Sequence, residues 1–164
     1  MKTLVLIRHS QAAYTNNNYT DFTKSLTEQG EKDANHIGLQ VSKVINKPDI
    51  VYISPATRTL ATANLFLKHF DFEVEKAIVD NNLYENGCYF VKHLLPSLDN
   101  KINTVFIFGH NPDITFLFSY YTGSQRKIVP SSSSIGINFN INDWSEIDNI
   151  NGNLIFFYYP EMKL

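Results

Sequence analysis

TVFIFGHNPDITFLFSYYTG, residues 104–123, decides the fold. Thr104 to Phe108 form a short apolar run rich in β-branched and aromatic residues, which predicts a buried strand. Gly109 and His110 interrupt it. Asn111 can then cap, and Pro112 open, a helix DITFLFSYYT that stops at Gly123. The same order of strand, turn and helix recurs upstream. TLVLI at 3–7 is followed by Arg8-His9 and a polar loop to about Leu26. A helix is predicted from a Thr27 cap, with Ala34, Ile37, Gly38, Val41 and Ile45 at helical spacing, and Pro48 ends it. DIVYI at 49–53 is a second strand. Ser54 can cap the helix after it, with Pro55 at the first position and ATRTLATANLFLKHF continuing to Phe70.

The remaining segments are weaker or different. Ala77-Ile78-Val79 is a weak strand, and YFVKHLLPSL at 89–98 is helical until Pro96 interrupts it. IGINFNI at 135–141 and NLIFFYY at 153–159 read as an antiparallel pair. The Asn-rich stretches at 16–21 and 142–153 read as solvated loops. Strands alternating with helices predict right-handed βαβ units. The expected fold is therefore α/β, a three-layer sandwich with a mostly parallel central sheet, helices on both faces and a C-terminal antiparallel strand pair. Residues 1–164 are expected to form one domain.

Composition narrows the function classes. Hydrophobic residues make up 43% and aromatics 13%, which is enough for a packed core. The formal net charge of −2 gives no basic excess, so neither nucleic acid nor an anionic membrane is an expected partner. A single cysteine, Cys88, excludes an internal disulfide framework and is expected to be an inert buried thiol. No CxxC or HxxxH occurs, so no metal site and no cofactor are expected. The apolar run at the N-terminus is cut off by Arg8 and His9, too short for a signal core or a bilayer span. A soluble, cytoplasmic protein is the expectation.

In open α/β sheets ligands sit beyond the carboxyl ends of the strands. If the three best strands are parallel, Arg8-His9, Ser54 to Arg58 and Gly109-His110 meet on one edge. That edge would hold two arginines, two histidines and two helix N-termini. The planar guanidinium fork matches phosphate oxygens, helix N-termini favour anions, and a neutral imidazole can attack phosphorus. Such a group suits a phosphoryl substrate.

Four stretches in order, LVLIRHS, LTEQG, SPATRTLATA and FGHNPDI, resemble the histidine phosphatase superfamily, whose fold is called phosphoglycerate-mutase-like. The small size, the early LTEQG and the GHNP form look most like the short phosphohistidine phosphatase branch, the SixA type. The resemblance implies that His9 is the nucleophile, that Arg8 and Arg58 bind phosphate, and that His110 binds the transferring phosphoryl group. Ser10 stands where many members have glycine. Lys24 stands where the SixA type often has arginine, as a rim charge or a phosphate ligand. Glu85 lies roughly where mutase-like members place a general acid, a region in which short members often lack a carboxylate.

Taken singly, each motif has a bland explanation. A lone histidine is more often a hydrogen-bonded core residue, and SPxxR alone is helix capping. Glu85 reads equally as a solvated loop carboxylate. His36, His69 and His93 lie in predicted helices as surface or packing residues, and Ser131 to Ser134 read as a loop entering a strand, with a substrate contact as the lesser alternative. Together, the ordered motifs favour a metal-independent phosphatase acting on a phosphorylated histidine-containing protein. The alternatives are a phosphomonoesterase for small phosphoesters with Glu85 as acid, and a phosphoprotein-binding module without turnover.

Overall fold

The structure, a computed structural model, describes residues 1–14, 20–126 and 128–160. Six strands form one sheet: β1 (Lys2–Arg8), β2 (Ile50–Ile53), β3 (Ile78–Val79), β4 (Thr104–Gly109), β5 (Ser134–Phe139) and β6 (Asn153–Tyr158). Their spatial order is β3-β2-β4-β1-β5-β6. The β3–β2, β2–β4 and β4–β1 pairs are parallel, whereas β5 joins β1 antiparallel and β6 joins β5 antiparallel.

Alternation along the strands builds two cores. Val5 and Ile7 of β1, with Phe106 and Phe108 of β4, face α1 (Glu28–Ser42) and α2 (Thr57–Leu67) through Ile37, Val41, Ala63 and Phe66. Leu4 and Leu6, with Val105 and Ile107, face the other way. They pack with Leu83 of α3 (Asn82–Glu85), Val91 of α4 (Gly87–Leu94), and Ile114 and Leu117 of α5 (Asp113–Thr122). Helices therefore cover both faces. No helix among the described residues is long and apolar enough to cross a membrane.

Thr27 caps α1 as its sequence predicts, accepting a hydrogen bond from the Gly30 N–H at 2.9 Å. Gly123 ends α5 at φ +70°. Other expectations need correction. Helix α2 starts at Thr57 with Ala56 as its N-cap, because the buried Ser54 hydroxyl bonds His110 instead. Helix α5 starts at Asp113, and the Asn111 amide donates to the Val129 carbonyl at 2.9 Å. The 142–153 stretch is not simply a solvated loop. It contains a 3-10 helix, Trp144–Asn149, opened by a capping box between Asp143 and Glu146. Trp144 and Ile147 on that helix are wholly buried, three residues apart on one face. Residues 16–19 of the first Asn-rich stretch lie outside the described residues.

Candidate active site

Strand register brings the motifs together. Arg8 pairs with Gly109 across β1 and β4, and Ile53 pairs with Phe108 across β2 and β4. The residues that follow these strands must share one sheet edge. The His9 N–H donates to the Gly109 carbonyl at 3.1 Å, and the Ser54 N–H to the Phe108 carbonyl at 3.0 Å. The His9 and His110 rings lie 5.2 Å apart, centroid to centroid. Arg58, on the first turn of α2, places Nη2 3.3 Å from His110 Nδ1.

Hydrogen bonds assign the imidazole tautomers. His9 Nδ1 lies 2.8 Å from the Ser10 carbonyl oxygen, which can only accept, so Nδ1 carries the proton. That leaves the Nε2 lone pair available as a nucleophile. For His110 the order is reversed. Its Nδ1 faces the Arg58 guanidinium, which can only donate, so Nε2–H donates to Ser54 Oγ at 2.6 Å.

Both rings are held neutral. Burial lowers the His9 pKa to about 4, helped by Arg58 and Arg8 against the Ser10 hydrogen bond. Burial, then His9 and Arg58, lower His110 to about 3. A bound phosphoryl dianion would reverse the sign of the local field and favour charge on His110.

This arrangement couples stability to pH. In the unfolded chain imidazoles take protons below about pH 6.5. The native rings refuse them until about pH 4 for His9 and about 3 for His110. The unfolded state therefore binds more protons in this window, and stability is lost as pH falls through it. Urea titrations between pH 7 and 4.5 should show a shallower loss for His110→Gln than for wild type, by up to about 1.4 kcal/mol per pH unit. Parallel profiles for the two proteins would contradict the assignment of His110 as a buried neutral ring.

The loop after β1 is fixed from several sides. Ser10 is wholly buried. Its N–H donates to Thr62 Oγ1 at 2.9 Å, and its hydroxyl accepts from Ser132 Oγ at 2.7 Å. Ser132 has φ 61°, a left-handed conformation rare outside glycine. It is held there by these contacts and by its N–H bond to the His9 carbonyl at 3.1 Å. Gly30 of LTEQG allows α1 to press on this loop, since a Cβ there would sit 2.3 Å from the Gln11 carbonyl oxygen. Arg8 donates through Nη1 to the Val129 carbonyl at 2.7 Å, and its buried Nε has no partner among the described residues.

A cavity of about 380 Å³ opens on this edge, lined by Arg8, His9, Asp21, Lys24, Arg58 and Ser131 among others. A more apolar hollow of about 560 Å³ lies against the other side of Arg8, beside Pro112, Phe116 and Ile128. The smaller cavity is the one that reaches His9. Among the described residues no three His, Cys, Asp or Glu side chains are grouped so as to hold a metal ion.

A sequence model of the histidine phosphatase superfamily (branch 1) matches residues 4–88, just over half of the chain. The chain belongs to the histidine phosphatase superfamily. A SixA structure from Nakamurella multipartitia has a TM-score of 0.82 at 19% identity, covering 97% of this chain and 96% of that one. The structure of the protein histidine phosphatase SixA complexed with tungstate has a TM-score of 0.80 at 18% identity, covering 96% of each chain. At these identities the likeness shows the fold. Among sequences, the serine/threonine-protein phosphatase Pgam5, mitochondrial, of Drosophila melanogaster is 35% identical over 75 residues. That stretch spans 46% of this chain and 25% of Pgam5.

Within this histidine phosphatase superfamily site, the structure brings Arg8, His9, Arg58 and His110 together. Lys24 lies on the cavity wall, 3.4 Å from Asp21 Oδ1. Ser131 also lines the cavity, while Ser134 begins β5. Glu85 does not take the place of an acid. It is exposed at the end of α3, makes no hydrogen bond among the described side chains and does not line the cavity. The preceding residue turns inward instead. The Tyr84 ring lies edge-on to His110 at 5.5 Å, and its hydroxyl donates to Asp21 Oδ2 at 3.0 Å. Adjacent helical residues point about 100° apart, so one position separates a site residue from a solvated one.

In the sequence Ser54 reads only as a helix cap on this edge, and Thr59, Thr62 and Asp21 are not singled out. Ser54 and Thr59 flank His110 Nε2, and Thr62 links the Ser10 N–H to the Arg58 carbonyl. The polar side of SPATRTLATA at helical spacing was their available clue. Asp21 sits in a loop of unremarkable polarity, and only its contact with Arg58 reveals it. Partial burial works against its charge. Hydrogen bonds from Tyr84 and Arg58 outweigh this and hold its carboxyl below the usual range. Cys88 is half-buried, with its thiol pKa raised by burial and by Asp113. His36 is exposed on α1, His69 bonds Asn35, and His93 stacks on Tyr89.

Proposed function

We propose that this chain is a phosphatase that hydrolyses protein-borne phosphohistidine through a phosphoenzyme on His9. The observation that carries this reading is the His9 tautomer: Nδ1–H is tied to the Ser10 carbonyl, leaving a bare Nε2 in a cavity with two guanidinium groups. In the first step the substrate ring, protonated from solvent on its other nitrogen, leaves as neutral imidazole when its P–N bond breaks and the His9 Nε2 lone pair bonds to phosphorus. In the second, water attacks phosphorus, the His9 N–P bond breaks, and inorganic phosphate leaves. Arg8 and Arg58 stabilise the phosphoryl oxygens, and His110 donates to them once charged.

Leaving-group chemistry supports phosphohistidine. An alkoxide, with a conjugate-acid pKa near that of water, ~15.7, needs a proton donor. The ring of a phosphohistidine can take a proton from water near neutral pH and leave as neutral imidazole, whose conjugate acid has a pKa of about 6.5, so no carboxylic acid from the enzyme is required. Glu85 is exposed away from the cavity, and the Asp21 carboxyl is held ionised. A phosphoester substrate is the second reading. It is favoured by the 35% identity to a protein named for serine and threonine phosphate, whose leaving group is an alkoxide.

The deciding experiment compares kcat/KM on a phosphorylated histidine-containing protein with that on several sugar and seryl phosphates, for wild type and Glu85→Gln. The expected outcome is a preference for phosphohistidine, with the variant within about twofold of wild type. A preference for esters, lost by a factor of about 10² in Glu85→Gln, would move the function to the phosphoester reading.

A further inference from the structure

We propose that Asp21 is a built-in counter-anion that holds Arg58 and yields it to the incoming phosphoryl group. The inference rests on Arg58 being a phosphate ligand, and it adds a positioning residue to that site. Asp21 approaches Arg58 twice. Its carboxylate Oδ2 accepts from Nη2 at 3.0 Å, and its backbone carbonyl accepts from Nη1 at 2.5 Å. Tyr84 donates to the same Oδ2, and Lys24 stands 3.4 Å from Oδ1.

The two partners are unequally fixed. The Arg58 side chain is 8% exposed, whereas that of Asp21 is 58% exposed. A buried guanidinium without an anion is costly, and Asp21 supplies one to Arg58. The anion comes from a three-residue 3-10 turn, Asp21–Thr23, none of whose residues is buried. Phe22 of that turn rests edge-on against Tyr84 at 5.1 Å and is itself exposed. Among the described residues the turn is held to the site by Arg58 and Tyr84 and buries none of its own side chains, so the carboxylate is freer to shift than the guanidinium it meets.

A phosphoryl group offers Arg58 two oxygens at once and carries more charge than a carboxylate. It cannot share Nη2 with Asp21 without like-charge repulsion. Exchange follows: phosphoryl in, carboxylate out. The same competition helps to expel inorganic phosphate at the end of turnover, because Asp21 recovers Arg58 as the product leaves.

The test measures binding of inorganic phosphate and vanadate by calorimetry, with KM and kcat in parallel, for wild type, Asp21→Asn and Tyr84→Phe. Asparagine keeps the shape and removes the competing charge. Phosphate Kd and substrate KM should both fall by about tenfold in Asp21→Asn, without a gain in kcat. Tyr84→Phe, which loosens the carboxylate, should move Kd the same way by a smaller factor. A merely structural residue would weaken binding on substitution. Unchanged or weaker phosphate binding in an Asp21→Asn protein that melts normally would overturn the proposal. Arg58→Ala separates the two levels. If it abolishes phosphate binding, the phosphate seat stands whatever Asp21 does. If it leaves binding intact, the seat is elsewhere and both readings fall.

Discussion

Replacing His9 with alanine is expected to lower kcat by at least about 10⁴-fold on any phosphorylated substrate, because the replacement removes the atom that bonds to phosphorus. The backbone around His9 is held independently of its ring. The His9 N–H and carbonyl bond Gly109 and Ser132, and the Ser10 N–H bonds Thr62. The variant should therefore fold, with a circular dichroism spectrum matching wild type. Its residual phosphate binding through the arginines should persist. Steady-state assays with a melting curve decide the matter. An alanine variant within tenfold of wild type would mean that another group attacks phosphorus, with His110 the first to examine. His110 is a poor candidate on present geometry, since its Nε2 is bonded to Ser54 and its Nδ1 faces Arg58.

The second large effect is expected at Arg58. Removing it as Arg58→Ala should lower kcat/KM by about 10³-fold, the scale of losing a preorganised charge at a developing oxyanion. The guanidinium is almost wholly buried and its position is set by α2, so no neighbouring cation replaces it. Lys24 is nearby but is engaged with Asp21 and sits on the cavity rim. Arg58→Lys should recover little, because an ammonium cannot reproduce the planar fork that meets two oxygens. Restoration of activity by lysine to within a few-fold of wild type would show that Arg58 acts as a point charge only.

The long apolar runs made the sheet readable. TLVLI, DIVYI and TVFIF are short, rich in β-branched and aromatic residues, and bounded by turn residues, so their strand character followed directly. Their parallel register then carries Arg8, His9, Arg58 and His110 to one edge. The misses have local causes. Ser54 has the chemistry of a cap, but a buried hydroxyl beside an imidazole is satisfied by the ring first. Trp144 and Ile147 sit in a stretch otherwise polar, and two apolar residues give too little periodicity to reveal a buried 3-10 turn. Asn82–Glu85 is a single helical turn, too short to show a pattern, yet it decides that Tyr84 faces the site and Glu85 faces solvent. Asp21 is invisible to local reasoning, because its meaning depends on a partner 37 residues away.

The account turns on one bond, between His9 Nε2 and phosphorus. It is tested most directly by mixing the protein with a radiolabelled phosphodonor, quenching in alkali within the first turnovers, and mapping the label by peptide sequencing. The account predicts acid-labile, alkali-stable label on the peptide carrying His9, attached at Nε2, and none in His9→Ala. Active turnover with no labelled histidine, or with the label on His110, would contradict it.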